Sequence, residues 1–264
     1  MMILVLSACG VSTSLLSTKE NASIVGGTNV VDGGSFSKYA VLIFDDHTNA
    51  FCTGIIIDKQ VILTAAHCVG KNPMRLAFGA NPLSGHYQQR YSTKTLVHPD
   101  YKGSATDDTF NSDNDLALLF VAAGVPTSYN SVQLPDTTSF TRDETTQFTA
   151  LGYGQTTGVE KSDSSSLGAG VLRSVSLQVK SVSDDALTFR VDQSSGQGIC
   201  KGDSGGPALS QYQGQDYVIG IASSIVWNSD GPGADNDVCK FESTYVNILS
   251  YVDWIKDSLN KLKQ

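Results

Sequence analysis

The sequence is poor in positive charge: its 264 residues include 18 Lys and Arg against 26 Asp and Glu, a formal net charge of −8. Binding to nucleic acid requires clustered Lys and Arg, so this deficit argues against a nucleic-acid partner. Only 17% of the residues are charged and 40% are hydrophobic, which allows a sizeable core. The simplest explanation of the acidity is solubility.

The apolar run at the N-terminus, residues 1–8, is too short to cross a bilayer, and we interpret it as the end of a secretory signal. Residues 6–9 read L-S-A-C and resemble the lipobox of bacterial lipoproteins, which implies that Cys9 is a lipidation candidate. The alternative is an ordinary signal with an incidental cysteine. Residues 11–23 are rich in Ser and Thr without an apolar period, which indicates a tether or pro-segment.

Histidine is scarce, and its placement separates two classes of hydrolase. Residues 202–206 read G-D-S-G-G and put Ser204 in the G-x-S-x-G pattern of α/β-hydrolases, whose histidine follows the serine. The four histidines all precede Ser204, which excludes that class; they are His47, His67, His86 and His98. A serine hydroxyl is a weak nucleophile until a base takes its proton, so the base must lie upstream.

Three motifs supply a catalytic pattern in the order His, Asp, Ser. They are T-A-A-H-C at residues 64–68, D-L-A-L-L at 115–119 and G-D-S-G-G-P at 202–207. This order is one of those known for serine triads. The motifs closely resemble those of the chymotrypsin-like (trypsin-fold) serine proteases, and the resemblance extends from Ile24 to about Lys263.

The resemblance implies an all-β fold of two six-stranded antiparallel β-barrels packed across an active-site cleft, with a C-terminal α-helix. Short apolar runs separated by turn residues also favour a barrel over βαβ units. We predict a protease domain at residues 24–264 with its barrel boundary near residue 140. Apolar residues from Ile248 to Leu262 recur at helical spacing. The predicted strands are residues 39–44, 53–57, 61–64, 75–78, 90–97, 116–121, 147–152, 171–179, 188–191, 207–209, 218–222 and 243–246.

The resemblance assigns the triad to His67, Asp115 and Ser204. A neutral imidazole can accept the Ser204 proton and return it to the leaving amine. Asp115 would hold the His67 tautomer, and its rival Asp113 lacks the apolar run expected of a buried strand. The other three histidines are interpreted as surface or loop residues.

Backbone N–H groups of Gly202 and Ser204 are expected to form the oxyanion hole. In comparable sites, the loss of one such donor raises the activation free energy by roughly 3 kcal/mol. Ser223 matches the family serine that supports the catalytic aspartate. The alternative for Ser223 is an ordinary strand serine.

Residues 24–27 read I-V-G-G and match the mature N-terminus of the family. The resemblance implies that cleavage before Ile24 by an activating protease frees an α-amino group, which pairs with Asp203 and orders the site. An ordinary strand start is the alternative. Ser23 would precede the cut, so the activating protease is not expected to be specific for Lys or Arg. If Cys9 is lipidated, the cut would also release the domain from a membrane.

Substrate preference departs from that of the members that cut after Lys or Arg. Those members have an aspartate six residues before the nucleophile, where this chain has Gly198. The residues expected on the pocket wall are Ile225 and Ser243, and Ile225 should narrow the opening. We therefore predict small or medium apolar side chains before the scissile bond. Glu242 is close enough to favour a cation, unless it is a solvated charge.

Five cysteines complete the pattern, and the family pairs four of them: Cys52 with Cys68 and Cys200 with Cys239. The loop of roughly 15 residues closed by the first pair would contribute about 3 kcal/mol. Two disulfides imply an oxidising compartment and leave Cys9 unpaired.

No cofactor or metal is expected. Residues 72–98 contain no Asp or Glu, so the calcium-binding loop of pancreatic members has no ligands here, and no Cys/His cluster has zinc spacing. The sequence predicts a monomeric serine endopeptidase that acts on proteins or peptides and is secreted, periplasmic or lipid-anchored. The alternatives are a catalytically silent, protease-like binding module and a zymogen that a partner switches on.

Overall fold

The structure is a computed structural model, and it describes residues 24–85, 87–103, 112–136, 143–159, 167–226 and 237–263. Residues 1–23, which include Cys9, lie outside the described residues, as do His86 and the predicted boundary near residue 140. No helix in the described ranges is long and apolar enough to cross a membrane.

Fifteen strands are found in these ranges, and we number them in chain order. They are Thr28–Asn29 (β1), Ala40–Asp45 (β2), Ala50–Asp58 (β3), Val61–Thr64 (β4), Arg75–Phe78 (β5), Gln88–Tyr91 (β6), Lys94–Val97 (β7), Ala117–Phe120 (β8), Gln147–Gly152 (β9), Arg173–Gln178 (β10), Ser181–Val182 (β11), Thr188–Asp192 (β12), Pro207–Tyr212 (β13), Gln215–Val226 (β14) and Glu242–Asn247 (β15). A single α-helix, Val252–Leu262 (α1), ends the described chain.

The strands form two antiparallel sheets, as expected for an all-β fold with a C-terminal helix. The first has the order β6-β5-β2-β3-β4-β8-β7 and the second β1-β10-β9-β13-β14-β15-β12-β11. The sheets have seven and eight strands rather than six each. The predicted strand 90–97 breaks at Ser92, whose Oγ accepts a hydrogen bond of 2.8 Å from the Met74 N–H, and the two-residue strands β1 and β11 were not predicted.

Strand β4 is central in the first sheet. It lies between β3 and β8, and all four of its residues are buried, so both faces of this strand are covered. A Cβ atom at Gly54 would lie 2.7 Å from Ile62 Cγ2 and 2.8 Å from Ile43 Cδ1. A larger residue at this point of β3 would therefore require the side chains of Ile62 and Ile43 to move.

The first strand and the final helix each pack against the sheet that is formed by the other half of the chain. Strand β1 joins the second sheet, whereas α1 packs against the core that contains the first sheet. The helix buries Val252, Ile255 and Leu262, and each such burial contributes about 1.5–3 kcal/mol. It begins at Val252 rather than Ile248, because residues 248–251 form a 3-10 turn.

His98 lies in the loop after β7, within the expectation of a surface or loop residue, but it is not at the surface. Its side chain is buried, and its ring centroid lies 5.3 Å from that of Tyr251 and 4.7 Å from that of Trp254. Burial lowers the pKa of His98. Its backbone N–H donates to Leu116 O at 2.9 Å, so it connects the C-terminal helix region to the chain beside Asp115. His47, in contrast, is exposed.

Candidate active site

His67 lies in a 3-10 turn, Ala66–Cys68, that directly follows β4. Its backbone N–H donates to Asp115 Oδ1 at 2.9 Å, and its ring Nδ1 lies 2.8 Å from Asp115 Oδ2. An ionised carboxylate only accepts hydrogen bonds, so this contact places the ring proton on Nδ1. In the neutral imidazole with this tautomer, Nε2 carries no proton and can act as a base.

Asp115 is fully buried just before β8, whereas its rival Asp113 is partly exposed. The turn that delivers Asp115 has Asn114 at φ +59°, a conformation that Asn tolerates better than most residues. Tyr251 holds this turn, because its hydroxyl accepts from Asn114 N at 3.1 Å and donates to Asn114 Oδ1 at 3.2 Å. Sequence reasoning did not identify Tyr251.

Ser223 is the third partner of the buried carboxylate. It lies in β14, and its Oγ donates to Asp115 Oδ2 at 2.6 Å. Asp115 therefore accepts three hydrogen bonds: from the His67 backbone, the His67 ring and Ser223. Such bonds compensate for the burial of a carboxylate and fix the orientation of the imidazole.

Ser204 lies in a tight turn that two glycines allow. Gly202 and Gly205 have φ values of +96° and +79°. A Cβ atom at Gly202 would overlap the Phe51 ring, and one at Gly205 would overlap Thr64 Oγ1. The glycines therefore meet both a conformational and a steric requirement.

Thr53 fixes this turn from the neighbouring sheet, and the sequence had not singled it out. Its N–H donates to Ser204 O at 2.8 Å, and its Oγ1 donates to Gly202 O at 3.0 Å and accepts from Tyr153 N at 3.1 Å. From the other side, Gly205 N donates to Ala222 O at 2.7 Å. The serine turn is thus held between β3 and β14.

His67 and Ser204 line the same open cleft, which has a volume of about 380 Å³. Phe51 and Gly202 also line this cleft. The backbone N–H groups of Gly202 and Ser204 have no hydrogen-bond acceptor within the described ranges. They are consequently available to an oxygen atom that enters the cleft.

Asp203 points away from the cleft into the interior. Its Oδ1 accepts from Gly154 N at 2.7 Å and its Oδ2 accepts from Cys200 N at 2.8 Å. A Cβ atom at Gly152 or Gly154 would overlap the Asp203 carboxyl, which explains the glycines on both sides of Tyr153. Burial raises the pKa of Asp203 to about 7, although the two N–H groups and the charge of Arg173 act in the opposite direction.

Ile24 is fully buried in the core of the second sheet, together with Phe148 and Tyr245. It has φ +50°, which is unusual for a β-branched residue and costs roughly 1–2 kcal/mol. The adjacent Val25 forms a bridge with Gly198, whose N–H donates to Val25 O at 3.0 Å. Ile24 and Val25, the first residues that the structure describes, are therefore anchored to the segment that leads to Ser204.

The three expected pocket residues lie close to the Cys200–Cys239 disulfide. Gly198 precedes Cys200, while Ile225 packs against the cluster of Val25 and the disulfide. Ile225 in β14 is paired with Ser243 in β15. Ser243 is fully buried, and its hydroxyl has no hydrogen-bond partner in the described part of the chain.

Glu242 is neither solvated nor available as an unpaired acid. Its side chain is 7% exposed, and its carboxyl oxygens lie 2.7 Å from Lys180 Nζ and 2.9 Å from Arg190 Nη1. The hydrogen bond to Glu242 raises the pKa of Lys180. Lys180 and Arg190 therefore compensate the negative charge of Glu242, which the sequence had offered as an acid that could attract a cationic substrate side chain.

The structure contains the disulfides Cys52–Cys68 and Cys200–Cys239, which are the pairs expected from the sequence. Among the described side chains, one group of three has metal-ligand spacing: Cys52, His67 and Cys68. Because both cysteines are oxidised, this group offers no thiolate ligands.

Most of the chain matches a known protein family. The family model named Trypsin matches residues 24–255. The chain is 29% identical to trypsin I-P38 of Gallus gallus over 261 residues, which cover 93% of this chain and 92% of the relative. It is 28% identical to kallikrein 1-related peptidase b21 of Mus musculus over 257 residues, with 90% of each chain covered.

A CLIP domain-containing serine protease, B4 of Anopheles gambiae, is 27% identical over 238 residues. That match covers 79% of this chain but only 62% of the mosquito protein. Among solved structures, the one described as "Structure of GrC" has a TM-score of 0.70 at 23% identity and covers 90% of this chain and all of the other. It supports the fold.

Proposed function

Because the chain belongs to the trypsin family of serine endopeptidases, we propose that it cleaves peptide bonds with Ser204 as nucleophile, His67 as general base and Asp115 as the residue that orients His67. The observation that carries this proposal is the buried Asp115 carboxylate, which contacts both the backbone and the ring of His67. Ser204 and His67 line one cleft, so a bound peptide can reach both.

In the proposed reaction, Ser204 Oγ attacks the carbonyl carbon before the scissile bond while His67 Nε2 accepts the hydroxyl proton. The tetrahedral intermediate collapses to an acyl-enzyme, and His67 donates its proton to the departing amine. Water then attacks the ester, with His67 again as base, and releases the acid and Ser204. The N–H groups of Gly202 and Ser204 stabilise the oxyanion in both steps.

We propose further that cleavage before Ile24 activates the enzyme. Ile24 is buried and Asp203 is an inward-pointing carboxyl whose pKa stays raised despite the charge of Arg173, so a new ammonium group at Ile24 would supply a further counter-charge. Cleavage would also remove the peptide bond that gives Ile24 its unfavourable φ.

For substrate preference, we propose small or medium apolar residues before the scissile bond. Gly198 carries no charge, and the nearby acid Glu242 is already paired with Lys180 and Arg190. A cationic substrate side chain would thus lose its hydration without gaining a partner.

The remaining proposals rest on the sequence. We propose that the protein is exported, that it is a monomer and that an unidentified protease activates it. Cys9 would serve as a lipid attachment site that tethers the uncut chain to a membrane.

The test is digestion of a proteome-derived peptide mixture by protein that begins at Ile24, with a Ser204→Ala variant as control. Mass spectrometry identifies the residue before each cut. Cuts after Ala, Val, Thr or Leu that are absent from the control support the triad and the pocket. Cuts after Lys or Arg contradict the proposed pocket, and an equal pattern in both samples contradicts the proposed activity.

A further inference from the structure

Gln193 is a polar side chain that the sequence did not single out, and it is fully buried. It directly follows β12, and its N–H donates to Phe241 O at 2.9 Å. The chain then turns, because Gly196 N donates to Gln193 O at 2.9 Å. A buried glutamine is uncommon unless hydrogen bonds satisfy its amide.

The amide of Gln193 connects two chain segments. Its Nε2 donates to Ile199 O at 3.0 Å and to Cys239 O at 2.7 Å, and its Oε1 accepts from Ile199 N at 2.8 Å. Both N–H bonds of the amide are therefore used. The same two segments are joined by the Cys200–Cys239 disulfide, so Gln193 is a second link between them.

The side chain of Gln193 also fills the space in front of Gly198. A Cβ atom at Gly198 would overlap Cγ, Cδ and Oε1 of Gln193. Gly198 is itself buried, and it occupies the position that the proposed function assigns to the base of the substrate pocket. The volume that a side chain at residue 198 would need is thus already occupied.

We propose that Gln193 forms the floor of the substrate pocket and restricts it to small, uncharged side chains. This inference rests on the proposed peptidase function and deepens it. The floor carries no formal charge for a cation, and its two N–H groups are engaged with backbone carbonyls rather than available to an acid. Under this proposal, the bulk of Gln193 would limit the depth of the pocket. Ile225, which follows Ser223 in β14 and packs against the cluster of Val25 and the disulfide, would make the pocket narrower.

The test compares kcat/KM for two peptides that differ only in Ala or Phe before the scissile bond. The ratio of the two values does not depend on how much of a preparation is folded. Wild type is expected to favour Ala. Gln193→Ala should move the ratio towards Phe by tenfold or more, since a single methylene changes such discrimination by about 10–200-fold.

Gln193→Asn keeps an amide but shortens the side chain by one methylene, and it should move the ratio in the same direction by less. This milder variant also covers the case in which Gln193→Ala does not fold. Gln88→Ala, which removes an exposed glutamine side chain at the start of β6, is the matched control and should leave the ratio unchanged.

The outcomes separate the two claims. If wild type cleaves the Ala peptide and the Gln193 variants have the same Ala-to-Phe ratio of kcat/KM as wild type, Gln193 is not the floor of the pocket. The proposed peptidase function would remain intact. A wild-type preference for Phe would lead to the same two conclusions. Wild type that cleaves neither these two peptides nor any member of the peptide mixture would overturn the proposed function and this inference with it.

Discussion

Ionisation of Asp203 should make the uncut chain less stable as the pH rises. The perturbation is Asp203→Asn in full-length protein that also carries Ser204→Ala to prevent self-cleavage. Burial raises the Asp203 pKa from 3.8 to about 7, a difference of about 3 pH units. At about 1.4 kcal/mol per unit, this corresponds to about 4 kcal/mol.

The sign follows from proton linkage. Between about pH 4 and pH 7 the folded chain holds the Asp203 proton more tightly than the unfolded chain does. The free energy of unfolding therefore falls as the pH rises through this range, and the loss is complete above about pH 7. The asparagine side chain of the Asp203→Asn variant does not ionise, so its contribution is constant across the range.

The assay is urea unfolding of both full-length proteins at several pH values from about 4 to 8. The difference between their unfolding free energies should change by about 4 kcal/mol across that range, to the disadvantage of the aspartate form at high pH. A difference that is independent of pH, or that changes in the opposite direction, would refute the reasoning. In protein that begins at Ile24, the proposed ammonium partner should reduce or reverse the trend.

Three further changes test individual contacts. Ser223→Ala removes a hydrogen bond to buried Asp115 that is worth about 1.5–3 kcal/mol. Steady-state kinetics should therefore show a kcat/KM that is lower by about 10- to 150-fold. An unchanged kcat/KM would contradict the role of this contact. Gly202→Ala places a methyl group against Phe51 at φ +96°, so kcat should fall more than tenfold, and full activity would contradict the turn geometry. Glu242→Gln removes two partly exposed ion pairs worth about 1 kcal/mol together, so calorimetry should show a Tm that is lower by about 2–4 °C. Peptide digestion should show no change in the preference for Lys or Arg. A change in that preference would identify Glu242 as an acid of the substrate pocket.

Much of the fold could be predicted because its strands are coded by local apolar runs. The strands at residues 61–64, 75–78 and 147–152 have the predicted bounds. The short strands β1 and β11 depend on pairing with β10 and β12, so two residues alone carry no signal for them. Strand β14 extends beyond the predicted residues 218–222 because its first half pairs with β13 and its second half pairs with β15.

The candidate catalytic residues could be predicted because each lies inside a motif with a strict chemical role. The residues that support them could not, since their roles depend on distant contacts. Tyr251 holds Asn114 across 137 positions, and Thr53 reaches Gly202 across 149. The burial of Glu242 likewise depends on Lys180 and Arg190, which nothing in the local sequence connects to it.

The central claim is that Ser204 is an activated nucleophile. The most direct measurement is labelling with a fluorophosphonate, followed by mass spectrometry to locate the modified residue in protein that begins at Ile24. The account predicts a single adduct on Ser204, lost in His67→Ala and much slower in the uncut chain. No adduct, or an adduct that forms at the same rate without His67, would contradict it.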